Sequence, residues 1–184
     1  MTTIAVFGSS ATLPGSPEWH EAEALGSAIA ELGWTVATGG YAGTMQAVSA
    51  GAAGAGGRVF GVTAPQVFPD RAGPNPHVTD ELPEPSITAR IARLVDLSDA
   101  AIALPGSIGT FAELVVAWNV AYLAPMSNRP RYPVVAVGPT WERLLTAIGS
   151  TLPTGDGCVF VARSADEGLA HIRRVLPENP AQPE

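Results

Sequence analysis

Short apolar runs of β-forming residues alternate with longer helix-patterned segments along nearly the whole chain, and this rhythm constrains the fold more than any other feature. Runs at Ile4–Phe7, Thr35–Ala37, Val59–Val62, Ala100–Leu104, Val134–Val137 and Val159–Ala162 read as strands. Glu18–Leu32, Thr44–Ala55, Ile87–Leu97, Phe111–Leu123, Trp141–Ser150 and Ala165–Val175 read as helices between and after them. Strands apolar on both faces need cover on both faces, and a parallel sheet with crossover helices supplies it. The expected fold is therefore α/β: a doubly wound, mainly parallel, Rossmann-like sheet. A chain of 184 residues fits one such domain over residues 1–176, with residues 177–184, which include Pro180 and Pro183, as a flexible tail.

Right-handed crossovers and the strand order 3-2-1-4-5-6 set the first and fourth strands side by side, where the winding reverses. Ligands of such folds bind beyond the carboxyl ends of the strands at that point, so the turns after strands one, two and four should carry function. Each of them holds glycine: Gly8-Ser9-Ser10, then Gly39-Gly40-Tyr41-Ala42-Gly43-Thr44, then Pro105-Gly106-Ser107-Ile108-Gly109-Thr110. Each feeds a helix N-terminus, where outward N–H groups favour an anion by about 0.3–1 kcal/mol. Phosphate is the natural guest. Tight strand-to-helix turns use glycine whatever they bind, so the weight rests on the convergence of three turns. No GxGxxG follows the first strand, and the ordinary dinucleotide fingerprint is missing.

Composition removes several classes of function. All ten basic residues are arginine, and a chain without lysine cannot be a Schiff-base enzyme, a pyridoxal-phosphate enzyme or a P-loop nucleotidase. A net charge of −7 works against nucleic acid and anionic membranes as partners. One cysteine, Cys158, excludes a disulfide framework, and His20, His77 and His171 are too scattered for a metal site, so no metal or cofactor is expected. The opening MTTIAVFG has no basic leader, and no run reaches about 18 uninterrupted apolar residues. The expectation is a soluble, cytoplasmic chain.

Two charged residues lie near the expected ligand edge. Arg90 is close to the start of the helix that runs back from that edge, and Glu113 follows the turn after the fourth strand. Glu113 is followed by Leu114-Val115-Val116-Ala117-Trp118, a largely apolar helix whose safest place is the core. An acid on such an element needs an arginine or a ligand hydroxyl as partner. Ala64–Pro85, with six of the seventeen prolines, is too long for a plain connection and reads as a lid, a substrate wall or a subunit contact.

The segments Gly39-Gly40-Tyr41-Ala42-Gly43-Thr44-Met45 and Pro105-Gly106-Ser107-Ile108-Gly109-Thr110-Phe111-Ala112-Glu113 together resemble the LOG family, the cytokinin-activating nucleoside 5′-monophosphate phosphoribohydrolases. The family hallmark is PGGxGTxxE, preceded by an arginine nine residues before the aspartate that opens the strand; here these are Arg90 and Asp99. The resemblance runs from Ile4 to about Leu176. It implies a homodimer that splits the N-glycosidic bond of a nucleoside monophosphate into free base and ribose 5-phosphate. The Gly106–Thr110 turn would cradle the phosphate, with the Gly8–Ser10 and Gly39–Met45 turns beside it, and Arg90 and Glu113 would be catalytic. Glu113 would hold the ribose or orient water beside an oxocarbenium-like sugar. Arg90, permanently charged, would orient the substrate and stabilise negative charge on base or phosphate. The old label of lysine decarboxylase attached to many relatives fails here, because pyridoxal phosphate has no lysine to hold it.

Three positions depart from the pattern: Ser107 replaces the second motif glycine, Ile91 stands where family enzymes usually carry lysine, and Val116 replaces a further acid. These departures keep a second reading open, a non-catalytic nucleotide- or molybdenum-cofactor-binding carrier or sensor of the same fold.

Overall fold

A computed structural model describes residues 1–127, 130–155 and 157–176; the expected tail at 177–184 lies outside the described residues. Seven parallel strands form one sheet: β1 (Thr3–Phe7), β2 (Thr35–Thr38), β3 (Val59–Thr63), β4 (Asp80–Pro83), β5 (Ala100–Ala103), β6 (Val134–Val137) and β7 (Val159–Ala162). Their order is β4-β3-β2-β1-β5-β6-β7, so the winding reverses between β1 and β5. The register pairs Ile4 with Ala100 and Phe7 with Ala103, which brings the turns after these two strands out side by side.

Six helices cover the sheet: α1 (Pro17–Glu31), α2 (Thr44–Gly54), α3 (Ile87–Asp96), α4 (Ile108–Leu123), α5 (Pro139–Gly149) and α6 (Ala165–Val175). One face buries Leu25 and Ile29 of α1, Val48 of α2 and Ile172 of α6 against Ile4, Val36 and Ile102. The other buries Leu94 of α3, Leu114 of α4 and Trp141 of α5 against Phe7, Val62 and Ala103. Serine hydroxyls start three helices: Ser16 accepts from Trp19 N, Ser86 from Ala89 N and Ser164 from Glu167 N.

The sequence reading differs from this fold in three places. β4 lies within the segment expected to be irregular, because Asp-Glu-Leu-Pro has little β propensity and is stabilised from outside. It pairs with β3, alternates half-buried and exposed residues as an edge strand does, and is pinned where Asp80 accepts two hydrogen bonds from Arg58, at 2.8 and 3.2 Å. Secondly, α4 begins at Ile108 rather than Phe111, so the second half of the motif turn, Ile108-Gly109-Thr110, is itself the start of the helix. Thirdly, only one side of α4 belongs to the core. Leu114 and Ala117 face the sheet, while Val115, Val116 and Leu123 are 38%, 37% and 43% exposed. Among the described residues, Ile108–Met126 is the one helical stretch long and apolar enough to cross a membrane by length and composition, and its inner side packs on β1, β5 and β6.

Candidate functional site

The three glycine turns meet at the reversal between β1 and β5. The first two are locked together: Thr44 N donates to the Ser9 carbonyl at 2.8 Å, and the Thr44 and Thr12 hydroxyls lie 2.8 Å apart. Gly43 has φ of +71° and presses its α-carbon so closely against the Ser9 and Ser10 backbone that a side chain there would collide with it. A Cβ at Gly8 would come within 2.7 Å of Thr44 Cβ. Gly40 donates to the Thr38 hydroxyl at 3.1 Å and accepts from Asn75, whose backbone N lies 2.7 Å and side-chain nitrogen 3.1 Å from the Gly40 oxygen.

The third turn is different. Trp141 Nε1 donates to the Leu104 carbonyl at 3.1 Å and stacks on Phe111, anchoring the strand end below the turn. Gly106 packs tightly on the buried Thr110 side chain. Above that anchor Pro105, Gly106, Ser107, Ile108 and Gly109 are exposed, and no side chain caps α4, whose N-cap is Ser107. A cleft of about 430 Å3 opens here, lined by Ser9, Thr12, Thr44, Pro105, Gly106 and Ser107 and also by Glu18 and Glu21 of α1. An uncapped helix start beside hydroxyls suits an anionic group.

Arg90 and Glu113 meet beneath the second turn. Arg90 Nη1 donates to Glu113 Oε1 at 3.2 Å, and both residues are buried. Arg90 Nε donates to the Val62 carbonyl at 2.7 Å, and Nη2 lies 3.7 Å from Met45 Sδ. The guanidinium fills the space where a Cβ on Gly39 would be, which is why glycine is required there. The donors that sequence reasoning offered to a substrate are thus directed at β3, Met45 and Glu113. Among the described residues no buried side-chain nitrogen or oxygen lacks a hydrogen bond, and Glu113 Oε2 has no protein donor. That oxygen therefore keeps contact with solvent.

Burial pushes the Glu113 carboxyl up to about 7, overcoming the opposing pull of the Arg90 charge. Burial also lowers Arg90 from its ordinary value. A carboxyl that titrates near neutrality, held by an arginine and reaching solvent through one oxygen, is suited to taking a proton from water.

The candidate residues thus fall into two groups. Ser9, Thr44, Pro105, Gly106 and Ser107 line the cleft, with Ile108, Gly109 and Thr110 forming the helix start beside it. Gly8, Gly39, Gly40, Gly43 and Met45 shape the turns and seat Arg90 without lining that cleft, and Ser10 faces a second cavity next to Tyr41. Sequence reasoning gave Tyr41 only as part of the second turn, and Arg71 and Asn75 only as part of Ala64–Pro85, with no individual role for any of them. Asn75 is buried, clamps the second turn and accepts from His77 N at 3.1 Å; its position between Pro74 and Pro76 was the available signal. Part of the segment after β3, including Arg71 and Asn75, lines the second cavity together with Tyr41 and Ala42.

The family model described as the SLOG cluster4 family matches residues 1–124. The cytokinin riboside 5′-monophosphate phosphoribohydrolase of Mycobacterium tuberculosis is 34% identical over 178 residues, covering 94% of this chain and 89% of that protein. Among solved structures, the molybdenum cofactor binding protein from Rippkaea orientalis is similar with a TM-score of 0.75 at 24% identity, covering 96% of this chain and 98% of that one. The molybdenum cofactor carrier protein from Chlamydomonas reinhardtii is similar with a TM-score of 0.71 at 26% identity, covering 95% and 98%. With the motif turn leading into a helix that carries Glu113 against Arg90, and with these matches over most of its length, the chain belongs to the LOG family, in the group described as the SLOG cluster4 family.

Proposed function

We propose that this protein is a nucleoside 5′-monophosphate phosphoribohydrolase of the cytokinin-activating type, which hydrolyses the N-glycosidic bond to free base and ribose 5-phosphate. The observation that carries the reading is the Arg90–Glu113 pair, 3.2 Å apart and buried, one helical turn below the uncapped start of α4. The named relationship to the Mycobacterium tuberculosis phosphoribohydrolase supports it. The phosphate binds at Gly106–Thr110, held by backbone N–H groups and the Ser107 hydroxyl. Glu113 receives the proton of the attacking water as the sugar develops positive charge. Arg90 is a positioning residue that keeps the carboxylate aimed and charged.

The test is base release from a panel of nucleoside monophosphates. Glu113→Gln is expected to lower turnover by about 10²–10⁴-fold while phosphate still protects the protein from thermal unfolding. Wild-type activity is expected to rise as pH climbs through about 7, because the carboxylate is the active form. Saturable nucleotide binding with no base released from any of the panel would favour the carrier reading, which the Chlamydomonas reinhardtii carrier likeness and the departures at Ser107, Ile91 and Val116 keep specific.

The reading includes a homodimer built on the bare side of α4. Val115, Val116 and Leu123 form an apolar strip on one helix, of the kind that marks a subunit contact. Val116→Asp is expected to shift the sedimentation behaviour from dimer to monomer; a wild type that sediments as a monomer at micromolar concentration would refute this part.

A further inference from the structure

Cleaving an N-glycosidic bond sends the bonding electron pair onto a ring nitrogen of the base, and something must meet that charge. Arg90 is poorly placed to do so, since Nε, Nη1 and Nη2 face Val62, Glu113 and Met45. A second guanidinium approaches the same aromatic ring. Arg71 lies 4.4 Å from the centre of Tyr41, where Arg90 lies 5.7 Å away, and it also lies 4.0 Å from the centre of Phe68. Tyr41 and Phe68 pack edge to face, and the Tyr41 hydroxyl accepts from Ala64 N at 2.8 Å, so the platform under Arg71 is fixed at both ends. Arg71 itself is exposed, and its guanidinium makes no ion pair or hydrogen bond among the described residues. Contact with the rings holds a planar guanidinium in place while leaving its N–H edge free to donate.

That edge belongs to a cavity of about 330 Å3, lined also by Ser10, Tyr41, Gln46 and Asn75 and by no carboxylate. Its place in the fold matches the reach of a nucleotide. The turns after β5, β1, β2 and β3 follow one another along one sheet edge. At a strand spacing of about 4.8 Å, β5 and β3 are roughly 14 Å apart. A nucleotide with its phosphate on the start of α4, laid along this edge, carries its sugar across the middle turns and its base toward the wall that follows β3.

Resting on the phosphoribohydrolase reading, we propose that Arg71 is a catalytic residue that hydrogen-bonds the departing base and stabilises the negative charge it takes from the sugar. In the step, the C1′–N bond breaks with its electron pair going to the base nitrogen, and water oxygen bonds to C1′. The water proton passes to Glu113, and the base nitrogen is reprotonated from solvent. Arg71 keeps its proton throughout.

The experiment compares two leaving groups in Arg71→Ala, Arg71→Lys and the wild type: adenosine 5′-monophosphate, whose base leaves as an anion, and 7-methylguanosine 5′-monophosphate, whose base leaves neutral. Arg71→Ala is expected to lower kcat on the first by about 10²–10³-fold with KM little changed, and to leave kcat on the second within a few-fold. Arg71→Lys should recover part of the loss, because it restores the charge without the planar fork. An equal loss on both substrates, or no loss on either, would overturn the role of Arg71 while leaving the phosphoribohydrolase reading intact. A wild type that releases base from no nucleoside monophosphate of the panel would remove that reading and this inference with it. Thermal protection of Arg71→Ala by inorganic phosphate checks that the turn at α4 is undisturbed.

Discussion

The starts of α2 and α4 are built from similar turns and have opposite fates. Both follow central strands, both are rich in glycine, and neither has a side-chain cap. At α2 the first N–H donates to the Ser9 carbonyl, the Gly43 α-carbon is pressed against Ser9 and Ser10, and the Arg90 guanidinium is packed against Gly39. At α4 the corresponding residues are exposed and face a cleft. A glycine turn at a helix start is thus an anion site only where the rest of the chain leaves it uncovered. Where the chain covers it, the same turn becomes a seat for a side chain brought from elsewhere.

The comparison can be broken most severely at Arg90. Arg90→Met leaves the Glu113 carboxyl buried without its partner, a change that typically costs about 3–5 kcal/mol. Burial already raises this carboxyl from 4.5 to about 7, so the folded protein holds that proton more tightly than the unfolded chain does. Its contribution to stability is full below pH 4.5 and is lost as pH rises through about 7. Without Arg90 the carboxyl rises further and the decline continues to higher pH. Urea denaturation at pH 5 and pH 8 should therefore show a much larger deficit at pH 8; equal deficits would mean that the charge pair is not what Arg90 contributes.

A smaller effect is expected from glycine replacements in the two turns. Gly39→Ala forces a Cβ into the Arg90 guanidinium and to 2.7 Å from Met45 Sδ, and should cost about 1–3 kcal/mol. Gly109→Ala meets nothing nearer than Ser107 Oγ at 3.9 Å and should leave stability within about 0.5 kcal/mol. Matched losses in the two variants would erase the distinction between a filled turn and an open one.

Much of this molecule was legible from local pattern. The Ile4, Thr35, Val59, Ala100, Val134 and Val159 runs all became strands, and the reversal falls between β1 and β5 as winding rules require. Arg90 and Glu113 were singled out as candidates, and they touch. β4 was not legible, because Asp80–Pro83 owes its strand conformation to the edge of β3 and to Arg58 rather than to its own residues. Nor was the bare side of α4, since Leu114 and Val115 are equally apolar and only packing separates them.

Six of the seven strands, the glycine in the turns that follow three of them and the absence of lysine chemistry follow from the amino-acid sequence alone, because periodicity, backbone freedom and side-chain inventory are properties of short windows or of the whole composition. The direction in which each charged group points was decided only in three dimensions. The Arg90 guanidinium turns inward because Gly39, far away in sequence, leaves room for it, while Arg71 remains on the surface because two rings support it there.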